Sequence, residues 1–151
     1  MSSIKSLFNP DVNKKIVDRI MQLDSAQSPA WGKMSAAQMV VHSQKSLQVA
    51  LGELELKRGL IGLLFGNLAK KRLLEGAELK RNLTTSPQFL VKEQPEFIKE
   101  RNKLIALVKA FKDSRSTLVG SVHPFFGKMT AEEWDLLQWK HLDHHLRQFG
   151  V

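Results

Sequence analysis

The sequence predicts an all-α protein, a four-helix bundle with a short extra helix between the second and third long helices. Apolar residues recur at helical spacing in four separate segments, and patterns typical of helix starts precede most of them. Strand-like segments are short, and no internal repeat is found. The chain has 151 residues, of which 42% are hydrophobic and 25% charged. This length and balance suit a single domain over residues 1–151.

The first two long helices have clear start signals. Asn9 is suited to cap the first helix, and Pro10 suits its first position because proline has no N–H to leave unbonded there. A loop rich in Ser, Pro and Gly follows at residues 25–33. Ser35 and Gln38 then form a Ser-x-x-Gln capping box, so we expect the second helix to run from there to about Glu55.

Residues 58–75 predict the short extra helix. Glycines at 59, 62 and 66 each weaken a helix by roughly 1 kcal/mol relative to alanine. Gly62 and Gly66 are four apart, a small-xxx-small pair that permits another helix to approach closely. We expect this helix to cover the bundle; the alternatives are a contact in a homodimer or with a membrane surface. The apolar run at residues 60–69 is about half the length that a membrane span needs.

The second half of the chain contributes two more helices. Residues 78–94 form a long connection, and long ordered connections often border a functional site. Pro95 or Glu96 opens the third long helix, which ends within residues 113–116. A loop at residues 119–130 leads to a second capping box, Thr130 with Glu133, and the last helix runs to about Phe149.

Composition limits the classes of partner and ligand. The formal net charge is +8, but the basic residues are spread along the chain and no nucleic-acid-binding motif accompanies them. Nucleic acid is therefore not the expected main partner, because charge alone gives only nonspecific attraction.

The chain has no cysteine, so a metal site would need nitrogen or oxygen ligands. The absence of cysteine and of an apolar signal-peptide core near the N-terminus leads us to expect a cytoplasmic location.

The last helix carries a pair of histidines suited to one divalent metal ion. With about 100° per residue and His141 at zero, His145 lies at about 40° and Gln148 at about −20°. All three lie within a face otherwise made of Trp and Leu. A metal ion would satisfy both buried imidazoles, because i,i+4 spacing brings their ring nitrogens together. Two core histidines bonded to neighbouring helices are the alternative, and the residues alone leave both interpretations open.

Two other histidines are weaker candidates for metal ligands when each is judged from its own helix. His144 lies on the side of Lys140 and Arg147, so we expect a solvated surface histidine there. His42 flanks the apolar stripe of the second helix, beside Met39. That position permits an inward ligand, but a structural histidine is the more frequent role of such a residue.

His123 precedes Pro124 in the loop before the last helix, where Gly127 also indicates a fixed turn. One interpretation is a loop histidine bonded to the backbone. The other is a proton carrier that faces a substrate, because the usual pKa of histidine suits proton transfer near neutral pH.

Several segments resemble one known group of proteins. Residues 31–42 (WGKMSAAQMVVH) resemble the start of the second helix in the DinB/YfiT-like superfamily, where a tryptophan precedes a metal-binding histidine. Residues 141–148 (HLDHHLRQ) resemble that superfamily's final motif, two histidines four apart followed by glutamine. With residues 81–87 (RNLTTSP) and 123–128 (HPFFGK), they are similar to a subgroup described only as a domain of unknown function. Many relatives place Arg-Gly where this chain has Leu146 and Arg147.

The resemblance implies a DinB-like bundle that holds one divalent transition metal, nickel or zinc, on His42, His141 and His145. Gln148 would not bind the metal itself but would orient a ligand or a bound water beside it. Members of the superfamily are described as metal-dependent enzymes, some of which use low-molecular-weight thiols in S-transfer. The chain would then be a metal-dependent hydrolase or thiol transferase acting on a small molecule. The alternative is a non-enzymatic binding module with a vestigial or structural metal site and a basic surface for an anionic partner.

The expected site also includes residues around the metal. His123 would be a proton carrier beside it. The apolar wall of the substrate pocket would consist of four aromatic residues: Trp31, Phe125, Phe126 and Trp134.

Overall fold

The computed structural model describes residues 5–76, 78–83, 86–118 and 121–151. These residues form five α-helices, a short 3₁₀ helix (Pro87–Phe89) and one two-stranded sheet. The predicted all-α class is confirmed in the sense that the described chain is mostly helical. Residues 84 and 85 of the predicted connection and residues 119 and 120 of the predicted loop lie outside the described residues, as do residues 1–4 and 77. The helices are α1 (Pro10–Met21), α2 (Ala36–Ala50), α3 (Leu60–Leu74), α4 (Phe97–Lys112) and α5 (Ala131–Gln148).

Four of the helices share one core. α1 and α2 each contact both α4 and α5. The largest fully buried side chains come mainly from these helices. They include Ile16, Ile20, Met39, Leu47, Leu104, Phe111, Trp134 and Leu142. Burying each such side chain stabilises the fold by about 1.5–3 kcal/mol, so this core holds α2 and α5 side by side.

Polar contacts inside the core fix how the helices pair. The Ser46 hydroxyl on α2 donates to Gln138 Oε1 on α5 at 3.0 Å, with both side chains buried. The Gln44 amide on α2 donates to the carbonyl and the carboxylate of Glu100 on α4, each at 2.9 Å. A buried polar group without a partner costs about 1–3 kcal/mol, so these pairs disfavour other helix registers.

The predicted helix starts are confirmed, whereas two lengths differ. Asn9, Ser35 and Thr130 cap α1, α2 and α5 as predicted, the latter two with capping boxes. α2 ends at Ala50 rather than near Glu55, because Gly52 takes a left-handed conformation (φ +76°) that stops the helix. The extra helix is not short: α3 has 15 residues, the same length as α2.

α3 packs against a small hairpin rather than another helix at its glycines. Strands β1 (Val122–His123) and β2 (Gly127–Lys128) pair antiparallel. A Cβ atom added to Gly62 or Gly66 would lie only 2.9 or 2.1 Å from the Phe125 carbonyl oxygen. The glycine pair therefore allows the turn of the hairpin to approach the helix backbone. None of the described helices has the length and apolarity to cross a membrane.

Candidate metal centre

Three histidines from two helices converge beside the core. His42 lies on α2, and His141 and His145 lie one turn apart on α5. One ring nitrogen from each can be chosen so that all three lie within 4.8 Å of one another, an arrangement that could hold a metal ion. The Nε2 atoms of His42 and His141 are 3.0 Å apart. We call these three residues the histidine cluster.

The hydrogen bond from His42 to the 3₁₀ helix fixes which of its nitrogens is available. His42 Nδ1 lies 3.1 Å from the carbonyl oxygen of Phe89. A carbonyl can only accept, so Nδ1 carries the proton and donates it. Nε2 of the neutral ring then presents a lone pair toward the cluster.

A chain of two hydrogen bonds fixes His145 in the same way. The Gln148 amide nitrogen donates to the Trp31 carbonyl at 2.7 Å, which sets the orientation of the amide. Gln148 Oε1 therefore faces His145 Nδ1, 2.7 Å away, and accepts a hydrogen bond from the Nδ1–H group. Gly32 permits this approach, since it has φ +81° and a Cβ there would lie 2.9 Å from the Gln148 amide nitrogen. His145 Nε2 is left unprotonated, like His42 Nε2.

His141 is the third member of the cluster, and its Nδ1 differs from those of the other two histidines. That nitrogen is buried and has no hydrogen-bond partner among the described residues. No protein group outside the cluster therefore fixes the tautomer of His141. Two imidazoles held as lone-pair donors, with a third whose Nδ1 is fixed by no group outside the cluster among the described residues, fit the nitrogen ligand set of a divalent transition metal.

Burial keeps the histidine cluster neutral. Removal from water is the main reason that the pKa of each ring is lowered. Nearby histidines lower the pKa of His141 and His145 further, and Lys45 does so for His42. The pKa of His145 falls to about 3. Neutral imidazole is the form that binds metal, so protons do not compete for these nitrogens near pH 7.

The prediction of a solvated His144 is wrong. Its side chain is buried, with its ring 5.4 Å from that of Trp31 and 5.1 Å from that of His145. Lys140, placed on the same polar side, is also buried and donates to the Leu73 carbonyl of α3 at 2.6 Å. The loop before α2 and the helix α3 cover this side of α5, which the periodicity of α5 alone does not reveal.

A cavity of about 530 Å³ opens onto the histidine cluster. Trp31, Phe125 and Phe126 line it, as do His123 and Gln148. The fourth aromatic residue of the expected wall, Trp134, is absent from the described lining. Its side chain is fully buried in the core, with its ring 5.2 Å from that of His123.

His123 is fixed by the turn of its own hairpin. Its Nδ1 accepts the backbone N–H groups of Phe125 and Phe126 at 3.0 and 3.1 Å. Nε2 therefore carries the proton of the neutral ring. Burial lowers the pKa of His123 to about 4. Any proton exchanged with a ligand in the cavity would have to pass through Nε2.

Sequence reasoning missed two residues that hold the cluster. Phe89 orients His42 through its carbonyl, and Gly32 gives Gln148 room to reach Trp31. Pro87 indicates a fixed turn near Phe89, and Gly32 indicates a left-handed turn. Neither signal says which histidine or glutamine the backbone will meet.

The fold and the cluster together define a mostly helical protein with three histidines that could hold a metal ion. Residues 1–150 match the family described as a protein of unknown function, DUF1569, and the chain belongs to that family. No curated protein and no solved structure matches the chain.

Proposed function

We propose that this protein binds one divalent transition metal, zinc or nickel, on His42, His141 and His145. In this proposal α1, α2, α4 and α5 form a four-helix bundle of the DinB/YfiT-like type. The protein would act as a metal-dependent hydrolase or thiol S-transferase on a small molecule. Its support is the resemblance of residues 31–42 and 141–148 to that superfamily, together with the geometry of the cluster.

One observation carries the metal proposal. His42 and His145 each donate Nδ1–H to a neutral acceptor outside the cluster, so both present Nε2 lone pairs inward. Histidine ligands of metals are usually held by such a bond from the other ring nitrogen. Histidines of an ordinary core would bond their inner nitrogens to neighbouring helices as well, whereas here these nitrogens face the other histidines of the cluster.

The proposed chemistry follows from the number of ligands. Three protein ligands leave coordination positions open, which is typical of catalytic rather than structural sites. When bound, the metal would supply a Lewis acid that activates a water or holds a thiol as thiolate. The cavity walls, including Trp31, Phe125 and Phe126, would hold the small molecule against this centre.

His123 has a narrower proposed role than a freely titrating acid or base. The two backbone donors occupy Nδ1, and the pKa of about 4 keeps the ring neutral near pH 7. We assign His123 a proton held at Nε2, which donates a hydrogen bond to a ligand. Gln148 would orient His145 rather than touch the substrate.

The proposal also includes one domain over residues 1–151 and a cytoplasmic location. The cysteine-free composition is the support for that location.

Metal analysis of protein purified without a histidine tag tests the metal site. We expect about one equivalent of zinc or nickel after reconstitution, and its loss in His141→Ala with the helical circular dichroism retained. The matched control is His144→Ala, since His144 lies between the proposed ligands in sequence but outside the cluster. Metal below about a tenth of an equivalent after reconstitution would refute the site.

Cobalt substitution separates the enzyme from the alternative, a binding module whose metal is structural. An open cobalt site should change its visible spectrum when a small thiol such as cysteamine is added, because a sulfur enters the coordination shell. A cobalt spectrum indifferent to thiols, azide and pH would favour the non-enzymatic module.

A further inference from the structure

The cavity and the proposed metal centre lack any described negative charge. The ligand that this charge distribution favours extends the proposed function and rests on it in part. Three neutral imidazoles would leave the double charge of a bound ion uncompensated. Their outer partners are neutral too, since His42 donates to a backbone carbonyl and His145 to a side-chain amide. A carboxylate often occupies that outer position in metal sites.

The lining of the cavity continues this pattern. None of the described lining residues is acidic, whereas Lys33 and Lys80 both line the cavity. Asp143, which lies between His141 and His145 in the sequence of α5, pairs with Arg19 at 2.8 Å and Arg147 at 3.1 Å. Lys33 and Lys80 are therefore the cationic side chains of the described lining that a ligand would meet.

Most of the remaining wall is apolar. It consists of aromatic and aliphatic side chains: Trp31, Met34, Leu79, Leu83, Phe89, Leu90, Val91, Phe125, Phe126 and Leu137. A volume of about 530 Å³ suits a small organic molecule. We propose that the ligand of this cavity is a small carboxylate with an apolar body, the carboxylate directed to the histidine cluster and the lysines.

A pair of probes with the same shape tests the charge preference. 3-Phenylpropionate and its neutral amide, 3-phenylpropionamide, are titrated into zinc-loaded and metal-free protein by calorimetry and NMR. We expect the zinc-loaded protein to bind the carboxylate at least about tenfold more tightly than the amide. In the metal-free protein the preference should be smaller, about two- to fivefold, because exposed lysines contribute little.

Lysine variants show whether the preference comes from this cavity. In metal-free protein, Lys33→Gln with Lys80→Gln should remove the preference for the carboxylate and leave the binding of the amide unchanged. Lys92→Gln, an exposed lysine outside the described lining, is the matched control and should change neither. Equal affinity for both probes in both forms would overturn the inference. Failure to bind zinc, with the lysine-dependent preference retained, would overturn the metal proposal alone.

A second and independent feature is the exposed apolar face of α3. Six of its large side chains are 54–77% exposed: Leu60, Ile61, Leu63, Leu64, Phe65 and Leu68. Only Gly62, Gly66 and Leu73 of this helix are buried. The face offers roughly 600 Å² of apolar surface, the upper end for a monomer. It would supply most of the roughly 800 Å² that each subunit of a stable dimer buries.

The charges around this face favour a second copy of the chain over an anionic membrane. Basic residues lie at both ends of α3, but Glu53 and Glu55 precede Lys57 and Arg58, and Glu75 and Glu78 follow the basic residues at 70–72. Lipid-binding segments are instead typically rich in Lys and Arg alone. In an antiparallel pair, the residues at 57–58 of one copy would lie near the end of α3 that carries Glu75 and Glu78 in the other. Within their own copy these two carboxylates also contact Lys71 at 3.8 Å and Arg147 at 3.6 Å. We infer that α3 is a two-fold symmetric dimer contact.

The oligomeric state of the wild-type chain and two charge variants tests this contact. By analytical ultracentrifugation we expect a wild-type dimer and a monomer for Leu64→Lys, which places a cation in the centre of the face. Ile98→Lys on α4 is the control, since Ile98 is 50% exposed outside the face and its replacement should leave the dimer intact. A wild-type monomer at about 100 μM, well above typical specific affinities, would overturn the inference. Recruitment of monomers to phosphatidylglycerol vesicles that Leu64→Lys abolishes would also overturn it, in favour of a membrane.

The chain has no cysteine, so one engineered thiol tests the symmetry directly. Asn67 is exposed near the middle of α3. Asn67→Cys should cross-link into a disulfide dimer under mild oxidation, because a two-fold axis near the helix centre brings both copies together. A dimer in solution that fails to cross-link would contradict the antiparallel arrangement.

Discussion

Gln148 joins the histidine cluster to the loop before α2. Its amide donates to the Trp31 carbonyl and its oxygen accepts from His145, both at 2.7 Å. Because the carbonyl accepts only, a flipped amide would place its own oxygen against the Trp31 carbonyl oxygen and lose that bond. One residue therefore sets the tautomer and the direction of His145.

Gln148→Ala should weaken zinc binding by about 10- to 100-fold, the usual effect of removing an outer partner of a histidine ligand. His145 would then be free to rotate and to place its proton on either nitrogen. Competition with a chromophoric chelator measures the affinity. Gln22→Ala, at an exposed glutamine, is the control and should bind zinc like the wild type. An unchanged affinity in Gln148→Ala would show that Gln148 does not orient the ligand.

The stability of the protein should fall in mild acid because of His123. Its pKa is lowered from 6.5 to about 4 by burial. Between those values the unfolded chain binds a proton here that the folded protein does not, so stability present above pH 6.5 is lost as the pH falls. From pH 7.5 to pH 5 this residue alone should cost about 2 kcal/mol.

The comparison with His123→Asn isolates that contribution. The asparagine side-chain oxygen can still accept from the backbone N–H groups of Phe125 and Phe126, but it does not titrate. Urea unfolding at both pH values should therefore show a smaller loss of stability for the variant than for the wild type. Equal losses would mean that other groups cause the acid sensitivity.

The sequence indicated part of this residue-scale arrangement. Spacing on α5 placed His141, His145 and Gln148 on one face because 3.6-residue periodicity is a local property. The cluster with His42 depends on how α2 packs on α5, and only the resemblance implied it. The solvent exposure of His144 was predicted wrongly, since the segments that cover it are distant in sequence.

At the scale of elements, the β1–β2 hairpin forms one wall of the cavity, and α3 packs against the turn of that hairpin. Gly62 and Gly66 let the Phe125 carbonyl approach the helix backbone, while Phe125 and Phe126 line the cavity. The glycines weaken the helix, but they allow this contact. The position of the aromatic wall therefore depends on the absence of a Cβ atom at these two glycines.

Gly66→Ala should displace the hairpin. The added Cβ would lie 2.1 Å from the Phe125 carbonyl oxygen, which belongs to the backbone and cannot rotate away. We expect a loss of about 1–3 kcal/mol in the free energy of unfolding, together with weaker binding of probes in the cavity. Thermal unfolding and NMR titration measure the two effects.

Gly59→Ala is the control for that change. Gly59 precedes α3, has an ordinary φ of −88° and would have no atom within 4 Å of a new Cβ. Its effect should stay within about 0.5 kcal/mol. A Gly66→Ala protein as stable as Gly59→Ala would show that the hairpin moves freely on α3.

A helix boundary or contact could be predicted where the residues that define it are close together in the sequence. Caps are local, so Asn9, Ser35 and Thr130 gave correct starts. The end of α2 was predicted too late because the apolar pattern continues to Leu54 while Gly52 turns the chain. The packing partner of the α3 glycines was missed because a small-xxx-small pattern records close approach but not the identity of the neighbour.

At the scale of the whole molecule, the histidine cluster connects parts of the chain that are distant in sequence. It joins α2 to α5, and its outer hydrogen bonds extend to the 3₁₀ helix at Phe89 and the loop at Trp31. A metal bound there would stabilise the folded chain as a unit. The unfolded chain has no cysteine and does not hold His42 beside His141 and His145, so it would bind zinc more weakly than the folded chain.

Zinc should therefore raise the thermal stability of the whole protein. With free zinc at about a thousand times the dissociation constant, linkage gives about 4 kcal/mol, which for this length corresponds to about 10 °C in Tm. Scanning calorimetry of metal-free and zinc-loaded protein measures the shift, and a chelator should reverse it. His42→Ala should show no shift, because removing His42 leaves both remaining ligands on α5 and breaks the connection to α2. A shift of equal size in that variant would mean that zinc stabilises the protein from elsewhere on its surface.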